Sequence, residues 1–119
     1  MSQKLFIVQN FKLNFYPWIL AARPKTLSAG CVPILVATSL AFLETKTVDL
    51  AISLWAFVSA LAIQVATNLF NDVIDFKKGA DTPERLGPTR VTQNGMLSPR
   101  QVYLGAIFFL VVAVLAAVP

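Results

Sequence analysis

The sequence predicts an all-α integral membrane protein, a helical bundle with three transmembrane helices, and three observations predict it. Hydrophobic residues make up 56% of the 119, with a mean hydropathy of +0.67. A soluble domain of that length interleaves charge through its helices and reads far more polar. Residues 26–43, 50–71 and 101–119 contain no Asp, Glu, Lys or Arg, and each is close to the length that crosses a hydrocarbon core of about 30 Å. The third observation is the placement of the basic residues. Lys4, Lys12, Arg23 and Lys25 precede the first span, Lys46 alone separates the first from the second, and Lys77, Lys78, Arg85, Arg90 and Arg100 lie between the second and the third. Cytoplasmic segments collect Lys and Arg, so the N-terminus and the loop at about 76–98 are expected inside. The net charge of +4 is then a topology signal, and no nucleic-acid partner is needed to explain it.

Taken in order, residues 1–16 mix Lys4 and Lys12 with Leu5, Phe6, Ile7, Phe11 and Phe15. They lack the compact apolar core and cleavage site of a signal peptide and read as a short interfacial helix. Pro24 suits a first helical turn, which opens a span at about 24–43, and Pro33 predicts a kink inside it. Cys31, the only cysteine, packs as a small hydrophobe and allows no disulfide within the chain. Asp49 caps a second span at about 50–75. The loop that follows is punctuated by Gly79, Pro83, Gly87, Pro88, Gly95 and Pro99 and is long enough to be functional. Ser98 and Pro99 open a third span at about 99–119. That span runs to a final proline with no charged or aromatic anchor after it, and reads as a sequence stopped at the far membrane face. The chain is expected to be the N-terminal part of a single membrane domain, a thin bundle with little interior of its own.

Four of the six acidic residues fall between Asp72 and Glu84, so the chemistry concentrates there. On a helix, Gln64, Asn68, Asp72 and Asp75 are spaced four, four and three residues apart and form one stripe, with Asn71 beside it. A carboxylate near the end of an apolar span is costly, up to about 2.5–3.5 kcal/mol if it lay at the bilayer centre, which calls for a partner. Hard oxygen donors without His or Cys suit Mg²⁺ or Mn²⁺. Magnesium takes one or two protein carboxylates and completes its shell with water and substrate phosphates, so Asp72 and Asp75, beside a basic loop, are expected to bind metal mainly when a diphosphate is present. The bland reading is that these groups cap a helix end and pair with Lys77, Lys78 or Arg85; for Asp81 alone it is the better one. Arg85 and Arg90 can bind phosphate oxygens in bidentate fashion, whereas Lys77, Lys78 and Arg100 read as topology and headgroup contacts. Arg23 and Lys25 either anchor the first helix at the headgroups or reach the same site from its side.

Three segments together resemble a known family: Ala22-Arg23-Pro24-Lys25-Thr26-Leu27, Asn68-Leu69-Phe70-Asn71-Asp72-Val73-Ile74-Asp75, and Gly79-Ala80-Asp81-Thr82 followed by Arg85-Leu86-Gly87-Pro88-Thr89-Arg90. They look like the opening third of a UbiA-superfamily membrane prenyltransferase, nearest the MenA type that prenylates 1,4-dihydroxy-2-naphthoate in menaquinone synthesis. The resemblance implies a helical bundle in the cell inner membrane with a central cavity. In that cavity Asp72 and Asp75 are catalytic, Asn68, Asp72 and Asp75 hold Mg²⁺, and Arg85, Arg90, Asn71 and Lys25 meet an allylic polyprenyl diphosphate. It leaves the parts played by Gln64, Asp81 and Arg23 open. Many relatives carry a further aspartate where this chain has Gly79, and a second aspartate-rich motif several helices downstream. The implied reaction is electrophilic alkylation: the diphosphate leaves, an allylic carbocation forms, and an electron-rich aromatic carbon attacks it. For the chain alone little activity is expected. A transferase for 4-hydroxybenzoate or haem, and a non-catalytic membrane module or gene remnant, are the other readings.

Overall fold

A computed structural model describes residues 15–78, 91–92 and 95–118. The described residues are helical apart from short turns: α1 (residues 15–22), a 3₁₀ turn at Pro24–Thr26, α2 (Leu27–Thr45), α3 (Leu50–Lys77) and α4 (Pro99–Ala117). Three stretches are long and apolar enough to cross a membrane: Phe15–Thr45, Leu50–Lys77 and Pro99–Ala117. The first starts earlier than the sequence implies. Residues 15–22 are already helical, and the segment breaks at Arg23, whose φ of 52° and ψ of 74° are left-handed. That conformation is rare outside Gly, Asn and Asp. The break is tied locally, since the Arg23 N–H donates to the Leu20 carbonyl at 3.2 Å, and both the N–H and the Oγ1 of Thr26 donate to the Arg23 carbonyl at 2.9 Å. Pro24 then takes the first position of the 3₁₀ turn. The interfacial helix expected over 1–16 lies almost wholly outside the described residues.

Local chemistry accounts for the remaining ends. α2 continues through Pro33 and stops at Lys46, which is left-handed at φ 59° and donates its N–H to the Phe42 carbonyl. The Asp49 carboxylate accepts from the Ile52 N–H at 3.1 Å, the cap expected for α3. At α4 the Ser98 Oγ accepts from the Gln101 N–H at 3.2 Å while the Gln101 Oε1 accepts from the Ser98 N–H at 2.9 Å. The Ser98 cap is therefore half of a reciprocal capping box.

Packing is uneven. α3 lies mainly against α4 and less against α2. Its core is one cluster around Ala21, Val65, Leu69, Val73, Val91, Leu97, Val102 and Ala106, close to the end of α3 that carries the polar stripe. Small residues bring the backbones together. A Cβ on Gly30 would stand 3.4 Å from the Ala60 carbonyl oxygen, so α2 meets α3 there, and a Cβ on Gly105 would stand 2.7 Å from Trp18 Cη2, so the Trp18 ring fills the space that residue leaves on α4. The Ser59 hydroxyl donates to the Ala113 carbonyl at 2.9 Å and links α3 to α4 in their other half. α2 buries no residue. The hydroxyls of Ser39 and Thr45 donate to the carbonyls of Leu35 and Ala41 at 2.7 and 2.8 Å, the local bonding that suits an apolar surrounding.

Candidate functional site

Because α3 is unbroken from Leu50 to Lys77, Gln64, Asn68, Asp72 and Asp75 do share one stripe. The structure then divides that stripe lengthwise. Asn68 and Asp72 are buried, at 4% and 1% exposure; Gln64 and Asp75 are half-buried and Asn71 is exposed.

The buried edge is bonded to other segments of the chain. Asn68 Nδ2 donates to the Ala22 carbonyl at 2.8 Å and to Thr26 Oγ1 at 2.9 Å. Those two acceptors flank the left-handed residue Arg23, so one amide bridges the break before α2. Asp72 uses both carboxylate oxygens in the same manner: Oδ2 accepts from the Val91 N–H at 3.0 Å and Oδ1 from the Thr92 N–H at 2.9 Å. Charge-assisted bonds to two buried amides are among the stronger polar interactions a protein makes, and they hold the chain where it returns toward α4. Around them Phe70 meets Tyr103 edge to face, with centroids 5.8 Å apart, and Lys77 Nζ lies 5.8 Å from the centre of the Tyr103 ring. Lys77 thus closes the end of α3 as a cation over an aromatic face.

Arg23 Nη2 and Thr92 Oγ1 are buried without a hydrogen-bond partner. Both flank the cluster. A buried guanidinium nitrogen with an unused N–H is costly unless an acceptor arrives, which distinguishes Arg23 from Lys25, an exposed side chain at the same joint. Sequence reasoning could place Arg23 near the site, but not its orphaned donor.

For a divalent cation, the donor set has the required hardness and fits in part. Asp75 and Asn71 lie on the accessible edge with oxygen donors that suit Mg²⁺. Asp72 is the more constrained of the acids, since each of its oxygens already accepts one amide proton and the side chain is buried. Among the described residues no group of three His, Cys, Asp or Glu side chains stands together. Arg85, Arg90 and Asp81 lie outside the described residues. Apolar space is found elsewhere: an open groove of about 340 Å³ is lined by Ile34, Ile52, Trp55, Ser59, Ile63 and Ala116, toward the other end of α3. Val65 belongs to the buried core and Phe70 packs against it.

An all-helical chain with three helices long and apolar enough to cross a membrane, the second ending in clustered amides and carboxylates, defines the class of integral membrane helical proteins. Comparison with known proteins specifies the class. Residues 31–119 match the model of the UbiA prenyltransferase family, and the chain belongs to that family. It is 52% identical to the 1,4-dihydroxy-2-naphthoate octaprenyltransferase of Bacillus subtilis over 65 residues, 55% of this chain and 21% of that protein. It is 34% identical to the enzyme of the same name from Escherichia coli over 83% of this chain and 32% of that protein. With UbiA prenyltransferase domain-containing protein 1 of Xenopus tropicalis it shares 30% identity over 91% of this chain and 31% of that protein. The chain spans between about a fifth and a third of the length of these relatives. No solved structure matches it significantly.

Proposed function

We propose that this chain contributes the first diphosphate-handling wall of an enzyme that transfers a prenyl group from an allylic polyprenyl diphosphate to 1,4-dihydroxy-2-naphthoate, in the synthesis of menaquinone. The observation that carries the reading is the polar cluster at the end of α3, an amide and two carboxylates on one stripe, whose amide, Asn68, bonds both sides of the joint that holds Arg23. The names of the bacterial relatives support the acceptor.

Each residue then has work to do. Asp75 and Asn71 present oxygen donors that would hold Mg²⁺ or Mn²⁺. When bound, the cation neutralises charge on the diphosphate and makes it a better leaving group. Arg23 directs its unused Nη2 donor to a diphosphate oxygen, and Lys25, Arg85 and Arg90 add positive charge as that group departs. The N-terminal segment and the loop at about 76–98 face the cytoplasm, in the inner membrane, following the distribution of Lys and Arg. Turnover is expected to need the further length that the relatives have beyond the matched region, because the described helices border an open groove that would not keep water from a carbocation.

The test is a prenyl-transfer assay in membranes with an allylic polyprenyl diphosphate and purified 1,4-dihydroxy-2-naphthoate, 4-hydroxybenzoate or haem. It compares this chain alone with this chain co-expressed with the remaining helices of a relative. Transfer to the naphthoate only on co-expression is expected. Transfer to either other acceptor, or no transfer from any combination, overturns the proposal.

A further inference from the structure

The seam between α3 and α4 has a second face, turned away from the polar stripe. On α3, Phe70, Ile74 and Lys77 are spaced four and three residues apart and share one side of the helix. Lys77 stands two residues from Asp75 and so lies on the opposite side from it. On α4, Arg100, Tyr103 and Ile107 are spaced three and four apart and also share a side. The two rows meet, since the Tyr103 ring takes the edge of Phe70 and lies 5.8 Å from Lys77 Nζ. The helices run in opposite directions, with Lys77 beside Tyr103 at one end and Ser59 bonded to Ala113 toward the other. The last turn of α3, with Lys77, therefore lies beside the first turn of α4, which holds Arg100 and no acid. From these two exposed cations the apolar members of both rows lead away along the helices, and Ile74 and Ile107 are 41% and 37% exposed.

We propose that this face binds one anionic phospholipid of the phosphatidylglycerol type, with Lys77 and Arg100 on its phosphate and an acyl chain along Ile74 and Ile107. The order of the chemistry carries the assignment. Two cations at a helix end attract an anionic headgroup, and the exposed apolar row that starts one turn deeper suits only a ligand with a hydrocarbon tail attached. A soluble phosphate would leave that row unused, and a neutral lipid would leave the two charges uncompensated. Tyr103 sets the level and the geometry. Tyrosine has an apolar body and a polar tip and collects at the boundary between headgroups and hydrocarbon. Its ring, held by Phe70, gives the Lys77 ammonium a face to rest on, while the lysine stem stays in apolar surroundings. Tyr103 is thus a positioning residue for Lys77. Lys78 is exposed as well, but lies further round the helix and outside the row. The site stands apart from the Asp72 stripe and does not rest on the function proposed above.

Native mass spectrometry of the full chain, released from micelles that contain phosphatidylglycerol or phosphatidylcholine with the same acyl chains, tests the site without any activity. The parent is expected to retain one phosphatidylglycerol about tenfold more tightly than phosphatidylcholine. Equal retention of the two lipids by the parent would sink the proposal whatever the variants do. Lys77→Gln and Arg100→Gln are each expected to weaken phosphatidylglycerol about fivefold, and Lys78→Gln, which removes the same charge, by less than about twofold. An equal loss in Lys77→Gln and Lys78→Gln would show diffuse attraction to a basic end and no site. Tyr103→Phe keeps the ring and should stay within about twofold of the parent, whereas Tyr103→Ala should approach the loss seen in Lys77→Gln; full retention in Tyr103→Ala would remove the positioning role. Inorganic diphosphate, added to lipid-free micelles, distinguishes a soluble anion from a lipid. Uptake that Lys77→Gln and Arg100→Gln abolish would assign the cations to a soluble phosphate and overturn the lipid assignment, and no such uptake is expected.

Discussion

The two halves of α3 are built on different terms. From Leu50 to about Ile63 the helix exposes Leu50, Ile52, Leu54 and Trp55, makes its polar ties sparingly, as at Ser59, and borders an open apolar groove. From Ala62 to Val73 it buries Ala62, Val65, Ala66, Asn68, Leu69, Asp72 and Val73 and is bonded through side chains to two other parts of the chain. Composition does not separate the halves, since both are mostly apolar. What separates them is where hydrocarbon stops being an adequate solvent. A leucine facing lipid loses little by staying there, so one half needs no fixed neighbour. An amide or carboxylate at the other half must be satisfied within the protein, and the groups that satisfy it bring the joint at Arg23 and the loop return into register.

The sharpest way to break this contrast is Asp72→Ala. It leaves the Val91 and Thr92 amides buried without acceptors, at about 1–3 kcal/mol for each orphaned group, and a drop of more than 10 °C in the thermal midpoint in detergent is expected by circular dichroism. A drop of less than 2 °C would mean that the carboxylate carries no structural load. Gly105→Ala comes next. The new methyl would collide with the Trp18 ring, and overpacking of this kind costs about 1–3 kcal/mol. With Trp55 replaced by Phe so that Trp18 reports alone, its emission should shift to the red as the ring is displaced; unchanged emission would show that α1 does not seat on α4 at this point. Ser98→Ala removes half of the capping box and should cost about 1 kcal/mol, with faster exchange confined to the first turn of α4. The smallest effect is expected for Leu54→Ala, at 61% exposure. A loss of under about 0.5 kcal/mol is anticipated, as for exposed positions generally, and a loss comparable to that of Gly105→Ala would show that the exposed half has a fixed partner.

How far the sequence alone could be read depends on the range of each interaction. The helices follow from charge-free length, and the caps at Asp49 and Ser98 from residues three positions away. The box at α4 was half visible, because Gln101 stands at the spacing that completes it, yet only the Ser98 side of it was drawn from the sequence. The break at Arg23 was not visible. Nothing in Ala21-Ala22-Arg23-Pro24 announces a left-handed arginine, and what sustains it includes an amide on Asn68, 46 residues from Ala22. Likewise the spacing of Asn68, Asp72 and Asp75 shows a shared stripe but not which members are buried, since the amides that occupy Asp72 lie 19 and 20 residues further along.

The sequence by itself determined that this chain carries three helices long and apolar enough to cross a membrane and that acids and amides gather at one end of the second of them. Hydropathy, charge placement and helical periodicity act over a few residues and need no partner to be expressed. Only the tertiary structure decided that the stripe has a buried edge and a more exposed edge, that Asn68 and Asp72 bond to distant segments, and that Arg23 carries an unused buried donor. Burial and hydrogen-bond partnership are properties of pairs of segments, and no spacing within one helix encodes which other segment will arrive to complete them.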